Sequence, residues 1–228
     1  MIMENTIMDM PVLLAEETGA GYELPPAGTW QGVCYSVIDL GTQKEEFEGT
    51  IKDAHKVRIG FEFSADTEDE EEKVFTIHKE FTLSFGGRSK LRQYIDSWNG
   101  GQTTMTEQEA KGFNVYSLLD KEASINIVVK KSAKGKEYAD IGGLSPRIKK
   151  LALHERKNEN TWLHISEKHF NEEVFDKLPN FLKEKIQEGK EYRAMYGIET
   201  IAEQEVNMKK EAETKEATPE SAAAIFGE

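Results

Sequence analysis

The stretch HKVRIGFEF, residues 55–63, indicates the fold class because its apolar and polar residues alternate without a break. A period of two places the apolar side chains on one face, which is the pattern of a half-buried β-strand. The apolar row is Val57, Ile59, Phe61 and Phe63, and the opposite row is Lys56, Arg58, Gly60 and Glu62.

Two further strands are predicted on either side of this stretch. Residues 29–40 are rich in β-branched and aromatic residues at both parities, which predicts a strand covered on both faces. Gly32 is a candidate for a bulge or bend there. Residues 74–85 form a third apolar row that Lys79 interrupts. Either a bulge shifts the register at that point, or Lys79 reaches out of the sheet.

A helix and two more strands complete the predicted domain. Residues 88–99 carry apolar residues at i, i+3, i+4 and i+7, which predicts an amphipathic helix. Strands follow at 125–129 and 138–141, joined by a turn at 132–135. We therefore expect a mainly β fold, namely a five-stranded OB-fold Greek-key barrel with a helix between strands 3 and 4.

The remaining chain divides into extensions of the barrel. Residues 162–165 are typical of a short strand, and 171–176 and 179–192 of helices, so we expect a helical C-terminal extension. Low apolar content after 199 favours a solvated tail. The predicted segments are an N-terminal arm (1–28), the OB-fold domain (29–150), a helical extension packing on the barrel (151–198) and an acidic, flexible tail (199–228).

Composition narrows the class of protein. The 228 residues are 38% hydrophobic and contain no apolar run near the ~20 residues of a membrane helix. The apolar stretch 10–15 is short for a signal peptide, and no Lys or Arg precedes Lys44. The single cysteine, Cys34, is best explained as a small buried hydrophobe, and no Cys/His spacing fits zinc. We expect a cytoplasmic protein that does not enter a membrane.

The net charge of −13 is unevenly distributed along the chain. Residues 1–28 and 197–228 each carry −5, and six acids lie within 66–72. In contrast, residues 122–150 carry +4. The acidic total therefore does not exclude a polyanionic partner, although acidic solubilising ends on an ordinary surface have the same charge pattern.

The most informative motif is KKSAKGKEY, residues 130–138, at the tip of the predicted hairpin. Lysines can follow a phosphate backbone and exposed aromatic side chains can stack on bases, as single-stranded nucleic acid binding requires. A solvated hairpin has the same composition. Arg92 and Lys90 extend the basic track at the helix start. The predicted DNA-binding residues are Lys130, Lys131, Lys134, Lys136, Tyr138, Tyr35, Lys56, Arg58, Lys79 and Arg88.

Catalytic motifs are missing from the sequence. It contains no phosphate-binding P-loop and no G-x-G-x-x-G, and its five histidines are scattered. Its carboxylates lie in charged runs, where a perturbed acid/base pair is not expected. We therefore expect a protein that is not an enzyme and needs no cofactor.

Several stretches over roughly residues 25–190 resemble one family. They are YSVIDLGTQ (35–43), HKVRI (55–59), KEFTLS (79–84), Leu91-Arg92 with Asp96-Ser97-Trp98, NIVVKKS (126–132) and LPNFL (178–182). Together they look like bacteriophage-encoded single-stranded-DNA-binding or replication-accessory proteins. The resemblance implies an OB-type barrel that coats single-stranded DNA in phage replication or recombination, in the cytoplasm of the host cell.

The C-terminus suggests a second kind of partner. Proteins of this kind often end in an acidic tail tipped by a hydrophobic residue that docks replication or recombination proteins, and here Ile225 and Phe226 are the candidates. Two other interpretations stay open. The chain could be a replisome or recombination protein–protein module with little DNA contact, or an inhibitor that mimics DNA through 66–72. The sequence leaves homo-oligomerisation open.

Overall fold

The structure is a computed structural model that describes residues 23–198, except 48, 67–71, 102–105, 107–108 and 110. Most of the predicted N-terminal arm, most of the acidic loop and the whole predicted tail therefore lie outside the described residues. Ile225 and Phe226, the predicted docking residues, belong to that tail.

The described residues form six strands and several short helices. The strands are β1 (Gly28–Phe47), β2 (Thr50–Asp66), β3 (Glu72–Thr82), β4 (Glu122–Lys131), β5 (Glu137–Ser145) and β6 (Thr161–Leu163). The helices are α1 (Lys90–Trp98), a 3-10 helix (Val115–Leu118), α2 (Glu172–Lys177), α3 (Asn180–Glu188) and α4 (Lys190–Met195).

The strands form one antiparallel sheet in the order β3-β2-β1-β4-β5, so the mainly β prediction is confirmed. The short β6 adds to β1 in parallel, with Ser36 opposite Thr161. Among the described residues, backbone pairing links β3 only to β2, and β5 only to β4, so the sheet is open between β3 and β5. The predicted OB-fold Greek-key barrel is therefore not confirmed, because backbone hydrogen bonds among the described residues do not close the sheet.

β1 is the central strand, and it bends at two irregularities. Its register with β2 shifts between Cys34 and Ser36, and again between Asp39 and Gly41. Gly32, the sequence candidate for a bulge, keeps its register and has a different role. A Cβ at this position would lie 2.5 Å from the Glu62 carbonyl oxygen, so only glycine fits between the strands.

β1 contributes to two separate hydrophobic cores. The first lies against the apolar row of β2, which is buried as the alternation predicts, and α1 closes it with Leu91, Ile95 and Trp98. The second lies on the other side of β1, where Ile38 and Leu40 pack against residues of β6 and the C-terminal helices. The second core consists of Ile38, Leu40, Leu163, Ile165, Phe175, Leu182, Ile186 and Tyr192.

The environment of β1 also settles two predictions about single residues. Cys34 is fully buried in the first core, as predicted for a small hydrophobe, and its burial raises the pKa of the thiol to about 12. Trp30, which the sequence left open between core and surface, packs on the first core and stacks on Phe63 at 6.1 Å between ring centroids.

Two predictions about the helical segments were wrong in part, one about a helix boundary and one about an exposed basic residue. The expected single helix 179–192 is broken at Gly189, where α3 ends and α4 begins. A Cβ on Gly189 would lie 3.0 Å from the Leu40 carbonyl oxygen, so the break lets the chain approach β1 closely. The predicted basic track at the start of α1 also loses one member. Arg92 is buried and donates to the Phe85 carbonyl oxygen at 3.1 Å.

The polar face of β2 was expected to be exposed, but Glu62 is fully buried. The segment 154–158 crosses over it and supplies its hydrogen bonds. His154 Nε2 and the Lys157 amide each donate to the carboxylate at 2.5 Å, and the Asn158 amide donates at 2.8 Å. The Asn158 side chain donates as well. The alternation of apolar and polar residues in β2 predicted an exposed Glu62, because a local pattern carries no information about a segment about 90 residues further along the chain that covers this face.

This network also orients the histidine. An ionised carboxylate can only accept, so His154 Nε2 donates to Glu62, and His154 Nδ1 lies 2.5 Å from the Ser64 hydroxyl. Burial works to raise the pKa of Glu62, but the hydrogen bonds from Lys157, His154 and Asn158 outweigh it and lower that pKa. Glu62 is therefore a charged, fully bonded anchor for the segment 154–158.

Candidate nucleic-acid interface

An open groove of about 810 Å³ lies where the sheet is open, between the edges of β3 and β5. It is lined by residues of three regions that are distant in sequence: Lys56 from β2, Lys79 from β3 and Tyr138 from β5. These are three of the predicted DNA-binding residues. Lys90, at the start of α1, lines the same groove. We call it the β3–β5 groove.

Lys79 bridges the gap between the two strands. Its ammonium donates to Asp140 Oδ1 at 2.5 Å and to the Ile141 carbonyl oxygen at 2.9 Å. The register between β2 and β3 runs through Lys79 without a shift, so the bulge alternative is wrong. Lys79 breaks the apolar row because it reaches across to β5, where it replaces part of the missing backbone pairing.

Each of the two carboxylates that line the groove lies between two cations. Asp140 accepts from Lys79 through Oδ1 and from Lys130 through Oδ2 at 2.6 Å. Burial alone would raise the pKa of Asp140, but these two lysines lower it. The hydrogen bond between Lys130 and Asp140 in turn raises the pKa of Lys130. Asp140 and Lys130 therefore stay charged at neutral pH, and the sharing of one carboxylate between two lysines leaves a surplus of positive charge.

Glu80, the second carboxylate, lies between Lys185 of α3 at 2.5 Å and Arg58 of β2 at 3.4 Å. Lys56 makes a comparable pair with Glu45 at 2.7 Å and also donates to the Thr82 hydroxyl. Lys185 was missed by sequence reasoning, because nothing in the α3 pattern shows that the helix lies against β2 and β3.

The basic hairpin stands beside the groove. Lys134 and Lys136 are exposed, and Lys131, with 72% of its side chain exposed, pairs loosely with Glu137 at 3.3 Å. Tyr138 follows directly and is 43% exposed while it lines the groove. The hairpin thus presents long, exposed cationic side chains next to an accessible aromatic ring.

Three predicted contacts, Arg88, Tyr35 and Arg58, lie outside both the β3–β5 groove and the hairpin. Arg88 is exposed just before α1 but does not line it. Tyr35 is the extra residue of the first β1 irregularity, and its hydroxyl lies 3.0 Å from His78 Nε2. Tyr35 and Arg58 line a second, smaller pocket on the other side of His78. The sequence therefore grouped residues that belong to two neighbouring cavities.

A polar cluster on β1 was not anticipated. Asp39 accepts from His55 Nε2 at 2.7 Å, from the Gly41 amide at 2.9 Å and from the Ile165 amide at 3.2 Å. Burial would raise the pKa of Asp39, but His55 and the amides lower it, while the bond to Asp39 raises the pKa of His55. Glu191 of α4 lies 3.5 Å from His55 Nδ1. The cluster fastens the C-terminal extension to β1.

Other kinds of site find no support in the described part of the chain. No group of three or more histidine, cysteine or acidic side chains there is arranged to hold a metal ion. None of the helices within residues 23–198 that the structure describes has the length and apolar character needed to cross a membrane. No protein-family model matches the chain, and no curated protein matches it significantly.

Proposed function

We propose that this protein binds single-stranded DNA without sequence preference, along the β3–β5 groove. The observation that carries the proposal is the meeting of Lys56, Lys79 and Tyr138, from three separate segments, in one open groove beside the basic hairpin. Backbone-tracking cations next to an exposed aromatic ring are what sequence-tolerant binding of a single strand requires.

An OB-type barrel is part of the proposal. Five strands in the order β3-β2-β1-β4-β5, with α1 between β3 and β4, support this topology. The edges of β3 and β5 approach each other through Lys79, as the two end strands of a partly open barrel do. In such barrels the ligand lies on the face bordered by the loop between strands 4 and 5, which here is the basic hairpin.

Binding would combine two physical effects. Phosphates would be attracted to Lys56, Lys90 and the hairpin lysines, with release of counterions from the strand. Tyr138 would supply a stacking surface, worth about 1–3 kcal/mol per base. The carboxylates of the groove do not cancel this attraction, because each is shared by two cations.

The test is binding of oligo-dT, compared with duplex of equal length, over a range of salt concentrations. We expect tighter binding to the single strand. Replacing Lys131, Lys134 and Lys136 with Ala should lower the log–log salt slope by about 2, since a single strand releases about 0.7 counterion per phosphate contact. The matched control replaces Lys121, Lys149 and Lys150, which lie outside the β4–β5 hairpin and do not line the groove. An equal loss in the control, or no binding to oligo-dT, would contradict the proposal.

A second candidate is a protein–protein module of a phage replisome or recombination complex. It is favoured by the ion pairs that Lys56, Lys79 and Lys130 already make, since a phosphate would have to compete with a carboxylate for each. In that case oligo-dT binding would be weak.

Under both proposals the protein works in the host-cell cytoplasm, and the tail with Ile225 and Phe226 docks a partner protein. A DNA-mimic role for residues 66–72 is the least supported alternative.

A further inference from the structure

A second pocket of about 380 Å³ lies on the outer face of the sheet, between β1–β3 and the C-terminal extension. Ser36 and His78 line its floor, and Gly60 lies between them in the cross-strand register. Its far wall comes from residues 159–161 and from the connection between α2 and α3. We call it the Gly60 pocket.

Two local features shape this floor. Gly60 has no side chain, so the His78 ring packs directly over its Cα, where a Cβ would lie 2.5 Å from His78 Cδ2 and 3.0 Å from Ser36 Cβ. The irregularity between Cys34 and Ser36 brings the Tyr35 ring toward the same place, with its centroid 5.8 Å from that of His78. Bulges commonly redirect a side chain in this way beside binding sites.

The polar groups on the floor are uncharged and hydrogen-bonded. The Tyr35 hydroxyl and His78 Nε2 lie 3.0 Å apart. Burial, followed by the positive charge of Arg58, lowers the pKa of His78 to about 4, so its imidazole is neutral at physiological pH. A pair of neutral rings that can donate and accept hydrogen bonds suits a neutral heteroaromatic ligand.

The walls are mainly apolar, and the charged residues that line the pocket are two cations and one carboxylate, Glu159. Ile38, Leu178 and Leu182 line the pocket, together with Pro179 and Val174. Two cationic residues, Arg58 and Lys177, also line it. Arg58 lies 5.5 Å from the Phe181 ring and is paired with Glu80, so it is held in place. Apolar walls with a few convergent polar groups are typical of a small-molecule pocket.

We propose that the Gly60 pocket takes one unstacked nucleobase of the single strand that lies in the β3–β5 groove. His78 lines both cavities, so the pocket adjoins the groove. The apolar walls favour a base over a phosphate, and Arg58 and Lys177 favour the phosphates on either side. This inference rests on the proposed single-strand binding and extends it to a discrete base site.

The experiment moves a single abasic site along a short oligo-dT and measures the dissociation constant at each position. Loss of the pocketed base should weaken binding by about 5- to 150-fold at one position, the range that corresponds to stacking of one base. Val174→Phe, which fills the pocket, should abolish that position-dependent penalty. Glu173→Phe adds the same ring to α2 at an exposed residue that does not line the pocket, and should keep it.

A second measurement uses the unmodified chain, so it does not depend on how well a variant folds. Thymidine monophosphate is added while the NMR signals of Tyr35 and His78 are followed, and shifts confined to this pocket are expected. If oligo-dT binds without a position-dependent abasic penalty and the nucleotide leaves these signals unchanged, the base pocket is refuted while groove binding stands. If oligo-dT does not bind but the nucleotide does, the groove proposal fails and the pocket stands.

Discussion

Replacing Glu62 with Gln should be among the most damaging single-atom changes in this protein. The carboxylate is fully buried and accepts from His154 Nε2, from the Lys157 and Asn158 amides and from the Asn158 side chain. A glutamine keeps one oxygen but places an NH₂ group against donors that cannot accept. Hydrogen bonds to a charged group contribute about 1.5–3 kcal/mol each, so the loss of two should cost about 3–6 kcal/mol.

That cost is large for a single domain, whose total free energy of unfolding is about 5–15 kcal/mol. Urea denaturation of Glu62→Gln measures it directly. Hydrogen exchange at the Lys157 and Asn158 amides gives a local readout, and both should lose protection. Glu122→Gln is the control, because Glu122 is partly exposed and pairs only with Arg147 at 3.1 Å. It should cost no more than about 1 kcal/mol.

The pH dependence provides an independent check. Because the pKa of Glu62 is lowered in the folded state, its contribution is fully present above the unfolded value of about 4.3 and is lost as pH falls through the folded pKa. The stability difference between the original protein and Glu62→Gln should therefore be constant from pH 6 to 8 and shrink in acid. A difference below 1 kcal/mol at pH 7, or one that grows in acid, would refute the anchoring role.

Two further changes probe the centre of the sheet. His55→Gln removes a histidine whose pKa is raised by Asp39. The original protein should gain stability from this histidine below its unfolded pKa of about 6.5 and lose that gain as pH rises through the folded pKa. Thermal unfolding at pH 6 and pH 9 tests this pH dependence, and an equal loss of stability in the variant at both pH values would contradict it. Gly32→Ala should lower the free energy of unfolding by at least 1–3 kcal/mol, the usual range for overpacking, because its Cβ would lie 2.5 Å from the Glu62 carbonyl oxygen. Gly143→Ala is the control, because a Cβ there would have no atom within 4 Å, and it should lower the free energy of unfolding far less when both are measured by urea denaturation.

Alternation and helical periodicity were sufficient to predict the elements of the sheet. Val57 to Phe63 bury their odd-numbered side chains as expected, and α1 buries Leu91, Ile95 and Trp98. Strand ends were less accurate. β1 runs to Phe47 because it pairs with β2 from Gly32 to Phe47, well past the apolar segment that predicted it. Pairing extends strands through polar residues that a local pattern assigns to loops.

The candidate site was predictable only in part, because its residues meet through long-range packing. Lys79 stood out as the break in an apolar row, and its partner could not be inferred. Asp140 and Lys185 come from elements whose orientation toward β3 is set by the two cores, and no local signal in their own segments reveals it. The Gly60 pocket likewise forms only when β1, β2, β3 and the C-terminal extension are packed together. The sequence could therefore identify Tyr35 as a candidate contact but not the residues that surround it.

The dependence of β1 on two cores has a consequence for the time course of synthesis. Ile38 is made early, but Ile186, which completes the core around it, is made 148 residues later. At about 5–20 residues per second, the second face of β1 lacks its cover for about 7–30 s on every ribosome. That interval is long compared with the microseconds in which a hairpin forms, so β1 and β2 can pair while an apolar face of β1 is still open. A chaperone that binds extended apolar segments would have its longest opportunity at residues 37–40, and slowing translation within 150–186 should lengthen it.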